Sequence, residues 1–346
     1  MRSEADSVKN RVEWIDIAKL LGMFAIYFGH LCEEGRARDF VFYFHVPLFF
    51  FLSGCMNTYD KEENIFRYIL KRAKKILIPF YCFAFISVII KVISEKTAGS
   101  QIWDYVLIIL KGAIRNTFFA PALWFLTCLF VMEIIFKIIK CFNLKALLVI
   151  IPVVCFILSE FVIKPRAIRE PSMPYNVDSA LYYIIFFAVG YLTYPLINRL
   201  FELNTAVKKK AFIIVYIVTV LYCVVVFFRK YLFAAGIKDW NVLKFTMLIR
   251  AFIMGMAVIV TARLLAKVPH IAKLGRKTLF LCGNEWITKA LIADIFLLFG
   301  LDINHLFNPL ITLVYTTILI ILNVFILIPV EEKFIGTVKK CLDRKE

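Results

Sequence analysis

Two charged side chains and two histidines lie inside the first two long apolar stretches of the sequence. The first stretch, WIDIAKLLGMFAIYFGHLC, contains Asp16, Lys19 and His30, and the second, FVFYFHVPLFFFLSGCMN, contains His45. Lys19 and His30 are eleven positions apart. On an α-helix they therefore share one face, roughly 16 Å apart along the axis. Because a neutral imidazole can take a proton from a hydroxyl near pH 7, the two histidines suggest acid–base chemistry.

Each part of this group also has a purely structural interpretation. Asp16 lies one turn before Lys19 and can pair with it, and the two could equally be a snorkelling pair at the membrane interface. The connection between the stretches is only about eight residues, which predicts antiparallel neighbouring helices with His30 and His45 at matching depth. Either histidine could be a hydrogen-bonded packing residue. Pro47 is expected to loosen the second helix near His45. We favour a functional site, since titratable groups inside a membrane are costly.

A basic segment, KRAKKIL, follows the second stretch and includes Lys71, Arg72 and Lys75. Such a cluster can set the membrane topology or contact anionic lipid. It can also hold the phosphates of a nucleotide-like donor. Ser53 and Gly54, near the inner end of the second stretch, permit a close approach of another backbone.

The composition indicates that these residues lie in membrane-spanning segments. Of 346 residues, 62% are hydrophobic, and the mean hydropathy is +0.81. The apolar residues form blocks of about 20, the length that crosses a hydrocarbon core. The net charge of +17 comes from Lys and Arg in short loops, which argues for topology rather than for nucleic acid. The nine cysteines form no CxxC pair, so we expect neither a metal site nor a disulfide framework.

We therefore predict an all-α polytopic membrane helical bundle that forms a single domain over residues 1–346. The segments on the N-terminal side of the membrane hold about twice as many Lys and Arg as the opposite side, so both termini are expected in the cytoplasm. The short apolar segment 101–115 is expected to lie in the interface. The predicted spans number about ten: 14–32, 40–57, 76–95, 119–140, 144–163, 180–198, 211–233, 243–265, 279–300 and 307–329.

The sequence resembles the acyltransferase-3 family of bacterial membrane O-acyltransferases, and more narrowly its fucose 4-O-acetylase-like branch. The segments that carry the resemblance are WIDIAKLLGMFAIYFGH, FHVPLFFFLSG, KRAKKILIPFY, PALWFLTCLF at 121–130 and DSALYYIIFFAVGYL at 178–192. The family signature is a basic residue, ten residues and then His, which Lys19 and His30 match with Lys in place of the usual Arg. A second, RxxR-like signature is matched by Arg72 with Lys75.

The resemblance implies an enzyme of a bacterial inner (plasma) membrane. Such an enzyme moves an acyl group, commonly acetyl, from cytosolic acetyl-CoA or another acyl-CoA to a hydroxyl of a cell-surface glycan or lipid-linked sugar, without a metal. The family often has a late His after a turn. Here GNEWITKALIADIF places Glu285, Lys289 and Asp294 in that region instead.

The implied site has a catalytic part, a donor part and an acceptor part. His30 is the expected general base, His45 orients it or contacts the substrate, and Lys19 with Asp16 forms the lower wall of the channel. The pantetheine arm of the donor would thread the bundle toward His30. Trp124 would wall the acceptor site, or it could be an interface-belt Trp. The residues expected to hold the donor are Arg72, Lys75, Lys71, Ser53 and Gly54.

A transporter or flippase of a glycan or small anionic solute is the alternative function. Titratable residues in later spans would suit it; they are Lys91, Glu133, Arg250, Lys289 and Asp294. The helix that carries Lys19 and His30, followed by FHVPLFFFLSG, favours the acyltransferase, because a transporter has no need of this pair of motifs.

Overall fold

The computed structural model is predominantly helical over the residues that it describes, which are 12–57, 64–95, 99–115, 120–163, 173–228, 240–268, 270–300 and 306–333. Within those ranges no β-strand forms. Both chain termini lie outside the described residues. The α-helices are α1 (Glu13–Leu31), α2 (Arg36–Phe42), α3 (His45–Cys55), α4 (Ile65–Arg72), α5 (Ile78–Glu95), α6 (Gly99–Leu110), α7 (Trp124–Cys141), α8 (Leu147–Ile157), α9 (Val177–Phe201), α10 (Ala206–Phe228), α11 (Trp240–Leu265), α12 (Ile271–Gly275), α13 (Thr278–Leu298) and α14 (Pro309–Leu322).

Three π-helical and two 3-10 segments complete the described helices. The π-helical segment Ala73–Leu77 joins α4 to α5, so that residues 65–94 form one helix of 30 residues. The other two π-helical segments extend α8 and α14. Each 3-10 turn precedes a long helix, Pro121–Leu123 before α7 and Pro174–Asn176 before α9.

Seven helices among the described residues are long and apolar enough to cross a membrane, which agrees with a polytopic bundle. They correspond to seven of the ten predicted spans. The remaining three predicted spans match helices that are shorter or more highly charged than these seven. Predicted span 40–57 contains the eleven-residue α3, and span 144–163 contains α8 and its π-helical extension. Span 279–300 matches α13, which is 21 residues long but holds three charged side chains. The total of ten spans stays a prediction.

The described residues group into two compact units. Unit 1 is drawn from Met1–Phe49, Pro195–Leu281 and His305–Glu346, and unit 2 is drawn from Phe50–Tyr194 and Cys282–Asn304. Each unit therefore combines segments that are distant in the sequence, so that long-range packing must bring them together.

Unit 1 is built around α1, which packs against α11, α12 and α14. A side chain on Gly275 would overlap the backbone carbonyl of Asp16, so α12 can approach α1 only because glycine stands there. Deeper in the unit, the Tyr27 hydroxyl donates to the Leu281 carbonyl (2.8 Å). Asn323 Nδ2 lies 3.3 Å from the Tyr27 oxygen. These buried polar contacts fix α1, because lipid offers no competing partners.

Unit 2 is held by a close crossing of two segments at glycines. A side chain on Gly54 would overlap the carbonyl of Phe187, and one on Gly190 would overlap that of Phe51. Close approach at small residues is how helices gain packing energy where lipid removes the hydrophobic driving force. The expected role of Gly54 in close backbone approach is confirmed by this crossing.

The predicted helix over 40–57 is interrupted at residues 43 and 44, directly before His45, which agrees with the expectation that Pro47 loosens the helix near His45. The helix α3 begins at His45, so Pro47 lies in its first turn. A proline is tolerated there because the backbone N–H that it lacks would have no partner within the helix. The break places His45 at a helix start, directly after a turn.

Candidate active site

The two histidines of the first two apolar stretches lie together in unit 1. His30 is in the last turn of α1, and His45 begins α3. Their ring centroids are 6.5 Å apart with the planes nearly perpendicular. This distance exceeds that of a direct nitrogen-to-nitrogen hydrogen bond between the rings. The structure therefore brings the two imidazoles close together, as the short connection between the two stretches predicts.

The ring of His45 is fixed by the backbone. His45 is buried, and its Nδ1 lies 2.7 Å from the carbonyl of Val41. Because a carbonyl only accepts, Nδ1 carries the proton in this contact. In the neutral ring Nε2 is then the accepting nitrogen, which can receive a hydrogen bond from a hydroxyl or from a protonated neighbour.

Phe42 closes the other side of the histidine pair. Its ring centroid lies 4.8 Å from that of His45 and 6.2 Å from that of His30. Gly29 permits this arrangement, since a Cβ there would meet the Phe42 ring at 2.9 Å. Phe42 itself is half exposed, and the Arg38 guanidinium lies over its ring, 5.0 Å from the centroid. The site therefore consists of the buried imidazole of His45, the half-buried imidazole of His30 and the Phe42 ring beside them.

The inner end of α1 carries the other two predicted catalytic residues. Asp16 is buried and Lys19 is half-buried on the same unbroken helix as His30. The structure gives Asp16 a partner that the sequence did not suggest, because Arg276 Nε lies 3.8 Å from Asp16 Oδ2. The pairing of Asp16 with Lys19 stays a prediction.

The predicted donor residues belong to unit 2, where Arg72 is the most enclosed of the three cations. Arg72 Nε lies 2.9 Å from Glu133 Oε2 on α7. Lys75 is also within electrostatic reach of Glu133. Lys71 is exposed at the end of α4. The segment containing Arg72 and Lys75 passes through the π-helical turn, an irregularity that is common at functional sites.

The same region holds two buried lysines that the sequence reasoning assigned only to topology. Lys140 Nζ donates to Asn57 Oδ1 (2.5 Å) and lies 3.8 Å from the centroid of the Tyr191 ring. Lys137 lies over the Tyr68 ring at 5.4 Å. The signal in the sequence was their spacing of four and seven residues from Glu133, which places all three on one helix face.

Trp124 starts α7 within an aromatic cluster of unit 2. Its ring lies 5.8 Å from Tyr183 and 6.2 Å from Phe50, and Trp124 is half-buried. The preceding Ala120 has a left-handed backbone (φ 46°), which turns the chain into the helix. Trp124 therefore belongs to a packed group of rings and still presents part of its surface.

A buried polar network holds the turn beneath Trp124. Arg115 Nη2 lies 2.8 Å from Asp178 Oδ2, and Arg115 also donates to the Ser179 hydroxyl. Asn176 Nδ2 donates to the Gly112 carbonyl (2.8 Å). Asp178 and Ser179 begin DSALYY, which belongs to one of the segments that carry the family resemblance. In the structure this segment is held by the ion pair of Asp178 with the distant Arg115.

The residues of the transporter alternative are distributed through both units. In unit 2, Glu133 pairs with Arg72, Lys91 lies 5.9 Å from the centre of the Tyr105 ring, and Ser94 donates to Asp294 (2.8 Å). In unit 1, Arg250 stacks on Tyr43 at 3.7 Å. In α13, Glu285 is buried while Asp294 is exposed.

Comparison with known proteins gives one match. Residues 12–330 match a family model described as an acyltransferase domain. The matched range includes every predicted site residue and draws on both units. No curated protein and no solved structure gives a significant match.

Proposed function

The chain belongs to the acyltransferase-3 family, and on that premise we propose that this multi-pass membrane acyltransferase moves an acetyl group from cytosolic acetyl-CoA to a glycan hydroxyl. The acceptor is a cell-surface glycan or a lipid-linked sugar at the outer face of a bacterial inner membrane. The family match supports acyl transfer over the transporter alternative. The observation that carries the proposal is the His30–His45 pair, at 6.5 Å between ring centroids.

In the proposed reaction His30 is the general base. It takes the proton of the sugar hydroxyl as that oxygen attacks the thioester carbonyl. The new C–O bond forms the ester, the C–S bond breaks, and the sulfur leaves as the CoA thiolate, which takes up the proton as CoA thiol. His45 would support this role, because its Val41 contact leaves Nε2 to accept a hydrogen bond from a substrate hydroxyl.

The donor is proposed to enter from the cytoplasm. Arg72, with Lys75 and Lys71 beside it, would contact the CoA phosphates through charge-assisted hydrogen bonds. Ser53 and Gly54 lie in the adjoining segment, where Gly54 serves backbone packing. By the predicted topology His30 is near the outer face, so the long, thin pantetheine arm would bring the thioester there. Lys19 and Asp16 would wall the inner part of this path, and Trp124 would contact the acceptor.

The test is a comparison of cells with and without the protein. Mass spectrometry of the surface glycan should show an added mass of one acetyl group per modified sugar only when the protein is present. Purified protein in liposomes should then transfer labelled acetyl from acetyl-CoA to that glycan. An unchanged glycan, together with uptake of a sugar or anion into the same liposomes, would refute acyl transfer and favour the transporter.

A further inference from the structure

The short helix α2 carries two arginines with different surroundings. Arg38 is half-buried, and its guanidinium lies 5.0 Å from the centroid of the Phe42 ring. Arg36, two positions earlier, is exposed and contacts no ring among the described residues. An aromatic face attracts a guanidinium group without neutralising it, so the side chain keeps both its place and its charge. The fold therefore positions Arg38 in a way that it does not position Arg36.

The hydrogen-bond donors of Arg38 are not used by the described part of the protein. Three acidic residues lie within five positions of it, and they are Glu33, Glu34 and Asp39. Over the ranges that the structure describes, Arg38 pairs with none of these carboxylates and donates no hydrogen bond. A guanidinium group has five N–H donors in a fixed fork, and partly buried donors normally have acceptors. The half-buried fork is therefore available to a ligand.

Phe42 links this guanidinium to the histidine pair. Its ring centroid lies 4.8 Å from that of His45 and 6.2 Å from that of His30. The ring is held against α1 at Gly29, where a Cβ would come within 2.9 Å of it. Phe42 is nevertheless 42% exposed, so the protein leaves part of its surface uncovered. A ligand as large as a disaccharide can therefore reach the guanidinium, the Phe42 ring and an imidazole at the same time.

This combination of groups suits a sugar. Two parallel N–H groups of one guanidinium match a pair of adjacent oxygen atoms. The exposed part of an aromatic ring offers an apolar surface to the C–H groups of a sugar ring. By the predicted topology α2 is external, whereas the CoA phosphates are proposed to stay at the cytoplasmic end of the bundle. The ligand that α2 meets is therefore the acceptor.

We propose that Arg38, positioned by Phe42, binds two neighbouring oxygen atoms of the acceptor sugar and thereby sets which hydroxyl faces His30. The inference rests on the proposed function and adds a specificity-determining residue within unit 1, which also contains the general base. Arg38 takes no part in the proton transfer. Its loss should therefore weaken acceptor binding equally in the ground state and in the transition state, which raises KM and leaves kcat nearly unchanged.

The experiment varies each substrate in turn with purified protein in liposomes and labelled acetyl-CoA. The acceptor is the surface glycan isolated from cells that lack the protein. Arg38→Met should raise the KM for this glycan about tenfold or more, because hydrogen bonds from a charged group are lost. The KM for acetyl-CoA should stay as in wild type. Arg36→Met is the matched control on the same helix, and it should leave both KM values unchanged.

Two further variants test the fork and its position. Arg38→Lys keeps the charge but loses the planar fork, so it should restore only part of the glycan affinity. Phe42→Leu should also raise the KM for the glycan. The double variant Arg38→Met with Phe42→Leu should raise this KM by less than the two single effects combined, since Phe42 acts partly through Arg38.

The inference would be overturned by an unchanged KM for the glycan in Arg38→Met, by an equal rise in Arg36→Met, or by full recovery in Arg38→Lys. Isothermal titration with the glycan alone gives a second readout, in which the Kd should rise together with the KM. Arg38→Lys provides the test if Arg38→Met does not fold. A wild-type protein that binds the glycan through Arg38 but transfers no acetyl group would refute the proposed function and leave the glycan site standing.

Discussion

Replacing Arg115 with Met should destabilise unit 2 strongly. The Arg115 and Asp178 side chains are 2.8 Å apart and only 5% and 10% exposed. Removal of one partner of such a pair leaves a buried, uncompensated charge, which costs about 3–5 kcal/mol. Arg115 also donates to Ser179, so its loss breaks more than the ion pair. We expect the free energy of unfolding of Arg115→Met to fall by about 3–5 kcal/mol.

The chain offers a control at the surface. Lys208 and Glu202 are 2.6 Å apart, but their side chains are 30% and 53% exposed. Lys208→Met should therefore leave the free energy of unfolding close to that of wild type. The double variant Arg115→Met with Asp178→Leu should recover most of the loss, since it removes both buried charges together.

The assay is denaturant titration in detergent micelles, followed by tryptophan fluorescence. Equal effects of Arg115→Met and Lys208→Met would refute the argument from burial. A double variant that is no more stable than Arg115→Met alone would show that the lost stability does not come from an unpaired charge.

Three further predictions concern packing, topology and the acceptor. Gly54→Ala should lower the free energy of unfolding by about 1–3 kcal/mol, because the added methyl group would overlap a backbone carbonyl. The control Gly99→Ala has open space around it and should change the free energy of unfolding by less than about 0.5 kcal/mol. Equal effects of the two substitutions would contradict the close crossing at Gly54. In a cysteine-free background, Leu70→Cys should label only from the inside and Glu34→Cys from the outside, and the reverse would invert the topology. Trp124→Ala should raise the KM for the acceptor about two- to tenfold without changing that for acetyl-CoA; a change in both would show a structural role.

The sequence predicts the long helices well, because their apolar blocks are continuous. Predicted span 14–32 matches α1, and predicted span 180–198 falls within α9. Hydropathy gives no sign of the break before His45, because apolar residues flank it on both sides; only Pro47 indicated that the helix is loosened there. Backbone geometry at such a turn depends on the packing of both neighbouring helices.

Contacts between distant segments could not be read from the sequence. Asp16 and Arg276 are 260 positions apart, and nothing in either local pattern indicates the other. Lys137 and Lys140 on α7 are a different case, because their spacing from Glu133 is visible in the sequence. They were assigned to topology because burial, which separates them from ordinary cytoplasmic lysines, is a property of the folded chain alone.

The most direct test of the account is the acetyl-transfer rate of His30→Gln. Gln keeps a hydrogen bond at this position but cannot exchange a proton at neutral pH. With purified protein in liposomes, labelled acetyl-CoA and the glycan acceptor, the rate should fall about 10²–10⁴-fold, while the unfolding midpoint stays near that of wild type. A variant that retains most of the wild-type rate would show that His30 is not the general base.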